Sequence, residues 1–325
     1  MLATSYSLAG RYRRALLEYQ AIQAVLPDDE GVKYELNELT LRGRYPELSV
    51  KKRQRAQVPY EVKDGNLFVP ISINGKEAHY LIETGSNTSF ISEGEARRVG
   101  MTVDEAPGLR THDASGTSGG FRIAVANDLV VGGFHLKNVT FLVFRDDQLP
   151  FVELPPGWRG ALGLPVLVAF GTVRWNREGS FEIGFPSASH GIGSPNLCLS
   201  GDGPMPVVQG AFEGHRIQVV LDTGAMKSRL LPSFAKDFSK VVQDKGKKEL
   251  TRIRGVSGTK EVETIMLPDV RVRFGNLDVV LDPAEVLSKD SPFGASSYHV
   301  WSGLDLLQQA RQVTIDFLSM RFAME

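Results

Sequence analysis

The sequence predicts a mainly β protein made of two similar lobes in one chain, preceded by a short N-terminal α-helical extension. Three observations lead there. The chain repeats itself: Tyr80 to Ile91, containing Glu83-Thr84-Gly85, aligns without a gap on Val219 to Leu230, containing Asp222-Thr223-Gly224. From Tyr60 onward, short apolar or alternating runs are separated by Gly, Asn and Asp turns, which is the texture of strands. Ahead of them, apolar and small residues recur at helical spacing.

The bulk numbers agree with this outline. A chain of 325 residues with 42% hydrophobic content can bury two cores and a small appendage, because a single core seldom grows past about 250 to 300 residues. The 37 basic and 38 acidic residues leave a net charge of -1, which argues against nucleic acid or an anionic membrane as partner. Cys198 stands alone, so no internal disulfide framework forms, and either cytoplasm or periplasm is compatible. No run approaches the roughly 18 apolar residues of a membrane span, and the chain as given does not begin with a signal-peptide pattern. The expectation is a soluble protein.

In order along the chain, residues 1–50 are expected to be helical. Leu8, Tyr12, Ala15, Leu16, Tyr19, Ile22 and Leu26 keep helical spacing, and Pro27-Asp28-Asp29 breaks the run and starts a second short helix. Gly10-Arg11-Tyr12, Ala15-Leu16, Tyr19 and Leu26-Pro27-Asp28 resemble the second helix of a tetratricopeptide unit and its turn. About three stacked units are usually needed to bury such faces. This piece is therefore expected to pack on the rest or to be the remnant of a longer array, and its helices could meet a protein partner. Residues 51–59, with Lys51-Lys52-Arg53-Gln54-Arg55, show no apolar periodicity and are expected to be a basic, solvated linker. Residues 60–190 form the first lobe, with strand-like runs from Leu67 to Ile73, Ala78 to Ile82, Phe121 to Val125 and Leu136 to Phe144. Asn74-Gly75 between two of them is a strong hairpin signal, because both central positions of the favoured tight turn need positive φ. Residues 191–325 form the second lobe. The Gly191-Ile-Gly193 and Gly201-Asp-Gly203 stretches between lobes are followed by prolines and read as a connection, not a nucleotide loop.

The repeat extends beyond the acid triplets. Gly75 and Gly214 precede the two acids by the same interval. Downstream, Ala114-Ser115-Gly116-Thr117 is answered by Val256-Ser257-Gly258-Thr259. Ala161-Leu162-Gly163-Leu164-Pro165 is answered by Trp301-Ser302-Gly303-Leu304-Asp305, with the glycines 80 and 81 residues past the acids. Four ordered, co-spaced landmarks argue for duplication of one β-rich unit. Each copy resembles one subunit of the retropepsin-like aspartic proteases: two apolar residues, Asp-Thr/Ser-Gly-Ala/Ser, a glycine-rich flap, then apolar-Gly-x-Asp/Asn-x-Leu. The resemblance runs from about Tyr60 to Met324. It implies two lobes related by a pseudo-twofold axis, an internal dimer, and one shared acid pair that hydrolyses an extended peptide or protein substrate.

In that mechanism two carboxylates, here Asp222 and Glu83, share a proton because both cannot ionise at such short range, and the pair activates a water. No cofactor is required beyond the water. Gly85 and Gly224 let the two loops approach without side-chain collision, and the hydroxyls of Thr84 and Thr223 can tie the loops together. Ser89 and Ser228 are expected to support the loops after the acids. At the intervening position Ser86 faces Ala225, and a Ser86 hydroxyl bonded to the adjacent carboxylate would favour its charged form and make the acids unequal. The flap candidates are Ser115, Gly116, Thr117 and Ser257, Gly258, Thr259, glycine-rich hairpin tips that could close over a peptide. Gly116-Thr117-Ser118-Gly119-Gly120 formally matches a serine-hydrolase elbow, but that motif needs a helix directly after it, and Phe121 to Val125 alternates like a strand. His79, His112, His135, His190, His215 and His299 lack ligand-type spacing, so no metal site is expected.

Two residues depart from the family pattern, both in the first lobe. Glu83 stands where the family has Asp, and its extra methylene carries the carboxylate about 1.5 Å further. Pro165 replaces the Asp or Asn that the second lobe keeps as Asp305. A displacement of roughly 1 Å in a catalytic constellation can cost on the order of 100-fold. Either the loop around Glu83 has retreated or the pair is impaired, and a pseudoprotease that binds extended peptides on the same scaffold stands as the alternative to a working peptidase.

Overall fold

The computed structural model describes residues 2–112, 118–187, 195–200, 205–255, 258–291 and 297–325. Strands dominate, arranged in three sheets. An eleven-stranded sheet belongs to the first lobe and a ten-stranded sheet to the second, and they repeat each other's pairing. In the first, Asn66–Ile73 and Lys76–Ile82 form a hairpin; Gly160–Leu162 lies parallel to Lys76–Ile82 and antiparallel to Ser89–Ser92; Val139–Phe144 runs parallel to Ser89–Ser92. In the second, the hairpin Met205–Phe212 with His215–Leu221, the strand Val300–Ser302, the short strand Arg229–Leu230 and Ala284–Leu287 take the same places with the same senses. Parallel and antiparallel ladders thus interleave at the same points in both lobes, as duplication requires.

The turns explain why the hairpins form where they do. Asn74 and Gly75 have φ of 50° and 79°, and Glu213 and Gly214 have 48° and 80°. Both pairs supply the two left-handed residues of a hairpin whose twist matches its strands. Phe121 to Val125 lies inside the strand Ser118–Ala126, so no helix follows the elbow-like glycines. The run from Leu136 to Phe144 is two strands, Phe134–Lys137 and Val139–Phe144, because Asn138 between them takes a φ of 57°.

The third sheet joins the lobes. Thr172–Asn176 from the first pairs antiparallel along its length with Gln312–Asp316 from the second, flanked by Ser180–Ile183 on one side and Arg321–Met324 on the other. One continuous apolar cluster runs through both lobes, from Tyr80 and Phe141 to Phe234 and Leu306. The halves are therefore fused through backbone ladder and core alike.

Two expectations need correction. The basic segment 51–59 is not a free linker: Ser49–Lys52 pairs with Phe134–Lys137, and Ala56–Pro59 pairs with Ser180–Ile183 as an edge of the joining sheet. Its charges lie on the solvent side, where they mask the alternation, while Ala56 is buried. The N-terminal segment holds three helices instead of two: α1 (Leu2–Leu8), α2 (Tyr12–Val25) and α3 (Glu30–Arg42). Gly10, at a φ of 68°, ends the first run. Asp29 caps α3 by accepting from the Val32 amide at 2.9 Å. These helices pack on the first lobe. Leu8 and Leu41 enter its apolar clusters, the Tyr34 hydroxyl donates to the Arg110 carbonyl at 2.7 Å, and the Tyr45 hydroxyl donates to Asp104 at 2.6 Å.

Candidate active site

The two acid loops meet where the lobes join, and the residues after each acid hold them there. The Thr84 amide donates to the Thr223 hydroxyl and the Thr223 amide to the Thr84 hydroxyl, each at 3.0 Å. Each hydroxyl in turn donates across to the other lobe, Thr84 to the Leu221 carbonyl at 2.9 Å and Thr223 to the Ile82 carbonyl at 2.6 Å. All four bonds are buried, so none is traded against water, and breaking one would strand a buried partner.

This symmetry bears directly on the glutamate. Gly85 donates its amide to Glu83 Oε1 and Gly224 donates its amide to Asp222 Oδ1, both at 2.9 Å. The first loop has not retreated to make room for the longer side chain. The Glu83 carboxyl instead reaches further across and lies against Gly224 of the facing loop, beside Asp222. A Cβ on Gly224 would fall inside that carboxyl, and one on Gly85 would fall inside the Asp222 carboxyl. Gly224→Ala is therefore expected to swing Glu83 off Asp222 and lower any peptidase kcat/KM by about 100-fold with the lobes still folded. Unchanged kinetics in that variant would contradict the pairing.

Both acids are buried, at 8% and 9% exposure. Burial, and then the neighbouring Asp222, push the Glu83 carboxyl well above the usual carboxylate range, against the smaller opposite pull of the Gly85 and Gly224 amides. The two acids are not equal, but the cause is not the one expected from sequence. The Ser86 hydroxyl turns away from Glu83 and donates to the Thr88 carbonyl at 2.7 Å. That bond closes the loop on itself and leaves nothing for the carboxylate. The donors around the other lobe's acid are different. Asp222 Oδ1 accepts from Ala225 as well as Gly224, at 3.2 Å and 2.9 Å, and Oδ2 accepts from the indole Nε1 of Trp301 at 2.6 Å.

The structure brings Glu83, Asp222, Thr84, Thr223, Gly85 and Gly224 together, with Ser89 and Ser228 one layer behind. Ser89 Oγ accepts from the Gly163 amide at 3.0 Å and Ser228 Oγ from the Gly303 amide at 2.8 Å. Asp305 completes the second lobe's arrangement by accepting from the Ser228 amide and hydroxyl, at 2.8 Å and 2.6 Å. Pro165 stands in that slot in the first lobe. There the buried guanidinium of Arg42, delivered by α3, donates to the Thr88 hydroxyl at 2.7 Å. Of the flap candidates, Gly258 and Thr259 open the strand Gly258–Leu267, paired with Gly255 and Arg254. Ser115, Gly116, Thr117 and Ser257 lie outside the described residues.

Sequence reasoning missed Trp301 and Arg42. The repeat itself held the signal for Trp301, since Ala161 occupies its place in the first copy. The walls beside the acids also differ by register. Phe90 lies opposite Leu142 and Ala161 in the first lobe, whereas Arg229 lies opposite Glu285 and Trp301 in the second, with Arg229 and Glu285 ion-paired at 3.1 Å.

Residues 69–166, which include Glu83-Thr84-Gly85, match a protein-family model described as Aspartyl protease. Among solved structures, a retropepsin-like aspartic protease from Rickettsia conorii is similar to 42% of this chain and 91% of its own, at 15% identity and a TM-score of 0.28. No curated protein matches the chain.

Proposed function

We propose that this mainly β chain, whose two lobes repeat each other's strand pairing, is an aspartic-type endopeptidase of the retropepsin-like kind. The observation that carries this reading is the buried pair of Glu83 and Asp222, each carboxyl lying against the other loop's glycine between the reciprocal Thr84 and Thr223 bonds. Two carboxyl groups at such range share one proton, which is the equipment for attack by water on a peptide carbonyl: one group takes the water's proton, and the other protonates the substrate. The paired hairpin strands Val103–His112 with Ser118–Ala126 and Lys247–Gly255 with Gly258–Leu267 support a flap role, bringing backbone groups over an extended peptide. The chemistry needs no cofactor. The apolar wall of Phe90, Leu142 and Ala161 and the charged wall of Arg229 and Glu285 support unlike side chains on the two sides of the scissile bond.

The test is cleavage of a denatured protein mixture from pH 3 to 8, with and without a statine-type transition-state inhibitor, using Asp222→Ala as the blank. Inhibitable cleavage that vanishes in the blank is the expected result. A second reading, a scaffold that binds extended peptides without cutting them, is favoured by one observation, the glutamate reaching over Gly224. A parent that cuts nothing, with cleavage appearing in Glu83→Asp, would establish that reading and remove the first.

A further inference from the structure

Trp301 is a one-sided addition to a duplicated unit. In the first lobe its slot holds Ala161, in the same register against the neighbouring strands. The indole is held from several directions: its strand lies between His215–Leu221 and Arg229–Leu230, and its ring packs against a cluster of Leu231, Ile253, Val262 and Leu287, beside Tyr298. So held, it aims Nε1 at Asp222 Oδ2.

The direction of that bond has a chemical consequence. Indole Nε1–H donates and cannot accept. A proton on Asp222 Oδ2 would point at another proton, whereas an ionised Oδ2 gains a charge-assisted bond. Oδ1 already receives two backbone amides, so donors meet both oxygens of Asp222. Among the described residues, Glu83 comes from the facing loop, and in the same lobe Arg229 and Lys227 pair with Glu285 while Asp305 is bound to Ser228. We infer that Trp301 is a positioning residue of the pair: its indole N–H keeps Asp222 Oδ2 free of the shared proton, which makes Asp222 the group that takes the water's proton and Glu83 the group that gives one. The roles rest on the peptidase reading; the indole-to-carboxylate coupling does not.

Trp301→Phe keeps an aromatic ring and removes the donor. The acid limb of the kcat/KM profile, which belongs to the pair as a unit, should move up by about one pH unit, so that activity on the parent's acid limb falls roughly tenfold, while the alkaline limb moves less. A profile lowered by one factor at every pH would overturn the inference and leave Trp301 as a wall of the site. Labelling with 5-fluorotryptophan gives a readout independent of cleavage. The resonance lost in Trp301→Phe should titrate with pH in the parent and stand still in Asp222→Asn. The same behaviour in both would overturn the coupling even if the parent cleaves peptides. If the parent cleaves nothing, the peptidase reading falls alone, and the fluorine titration still decides the coupling.

Discussion

Glu83→Gln is expected to abolish cleavage and stabilise the fold, two effects of opposite sign from one atom. Gln is nearly isosteric with Glu and keeps an oxygen for the Gly85 amide, so the loop bonds survive. It cannot give or take the catalytic proton, and loss of a positioned acid or base costs about 100- to 10,000-fold in kcat/KM. The stability effect follows from burial. The folded state holds the Glu83 carboxyl well above its unfolded value, because of desolvation and then Asp222. Below the unfolded value, near 4.5, both states carry the proton and Glu83 contributes in full. As pH rises from there, the unfolded chain releases its proton and the folded chain keeps it, so stability is lost at about 1.4 kcal/mol per pH unit until the folded value is passed. Gln does not titrate. Urea unfolding of parent and Glu83→Gln should therefore nearly coincide at pH 4 and separate toward pH 8, with the variant the more stable. A difference that stays constant from pH 4 to 8 would mean that Glu83 is not the buried proton holder.

What the sequence revealed and what it hid divide along physical lines. The hairpins at Asn74-Gly75 and Glu213-Gly214 are local: the turn residues need positive φ and sit beside the strands they connect. The duplication is legible because spacing survives even where side chains have diverged, which also placed Glu83 opposite Asp222. Ser49–Lys52 and Ala56–Pro59 were hidden because their pairing partners lie far along the chain, at Phe134–Lys137 and Ser180–Ile183, and because their exposed faces are basic. The joining sheet was hidden for the same reason, since Thr172–Asn176 meets Gln312–Asp316 only once both lobes exist. Ser86 was misread because composition does not say which way a hydroxyl turns; the neighbouring Thr88 carbonyl took it. Arg42 is on α3, a helix whose relation to the first lobe no periodicity could supply.

Arg42→Ala is expected to destabilise the fold by about 3 to 5 kcal/mol, the usual cost of breaking a buried ion pair from one side. Arg42 is 3% exposed and is paired with Glu38 one helical turn away. Its guanidinium stands 5.5 Å from the centre of the Tyr12 ring and donates to Thr88 in the Glu83 loop. Removing it leaves Glu38 without its counter-charge in a place already short of water. Burial and Glu38 have pushed neighbouring Glu35 up to about 7, with Arg42 pulling the other way, so the defect should shrink as pH falls and Glu35 takes up its proton. The double variant Glu38→Leu with Arg42→Met replaces the pair by apolar side chains and should recover most of the loss, because desolvation of two charges offsets much of their attraction. Urea unfolding of the two single variants and the double measures this coupling. In the second lobe Asp305 anchors the acid loop from within the repeat; in the first, Pro165 offers no acceptor side chain, and the tie comes from α3. A single variant that costs under about 1 kcal/mol, or a double no more stable than Arg42→Ala, would show that the helices rest on the lobe without bracing the Glu83 loop. The predicted pattern would make the helical extension a structural part of the first lobe, supporting the acid loop that its own repeat no longer secures.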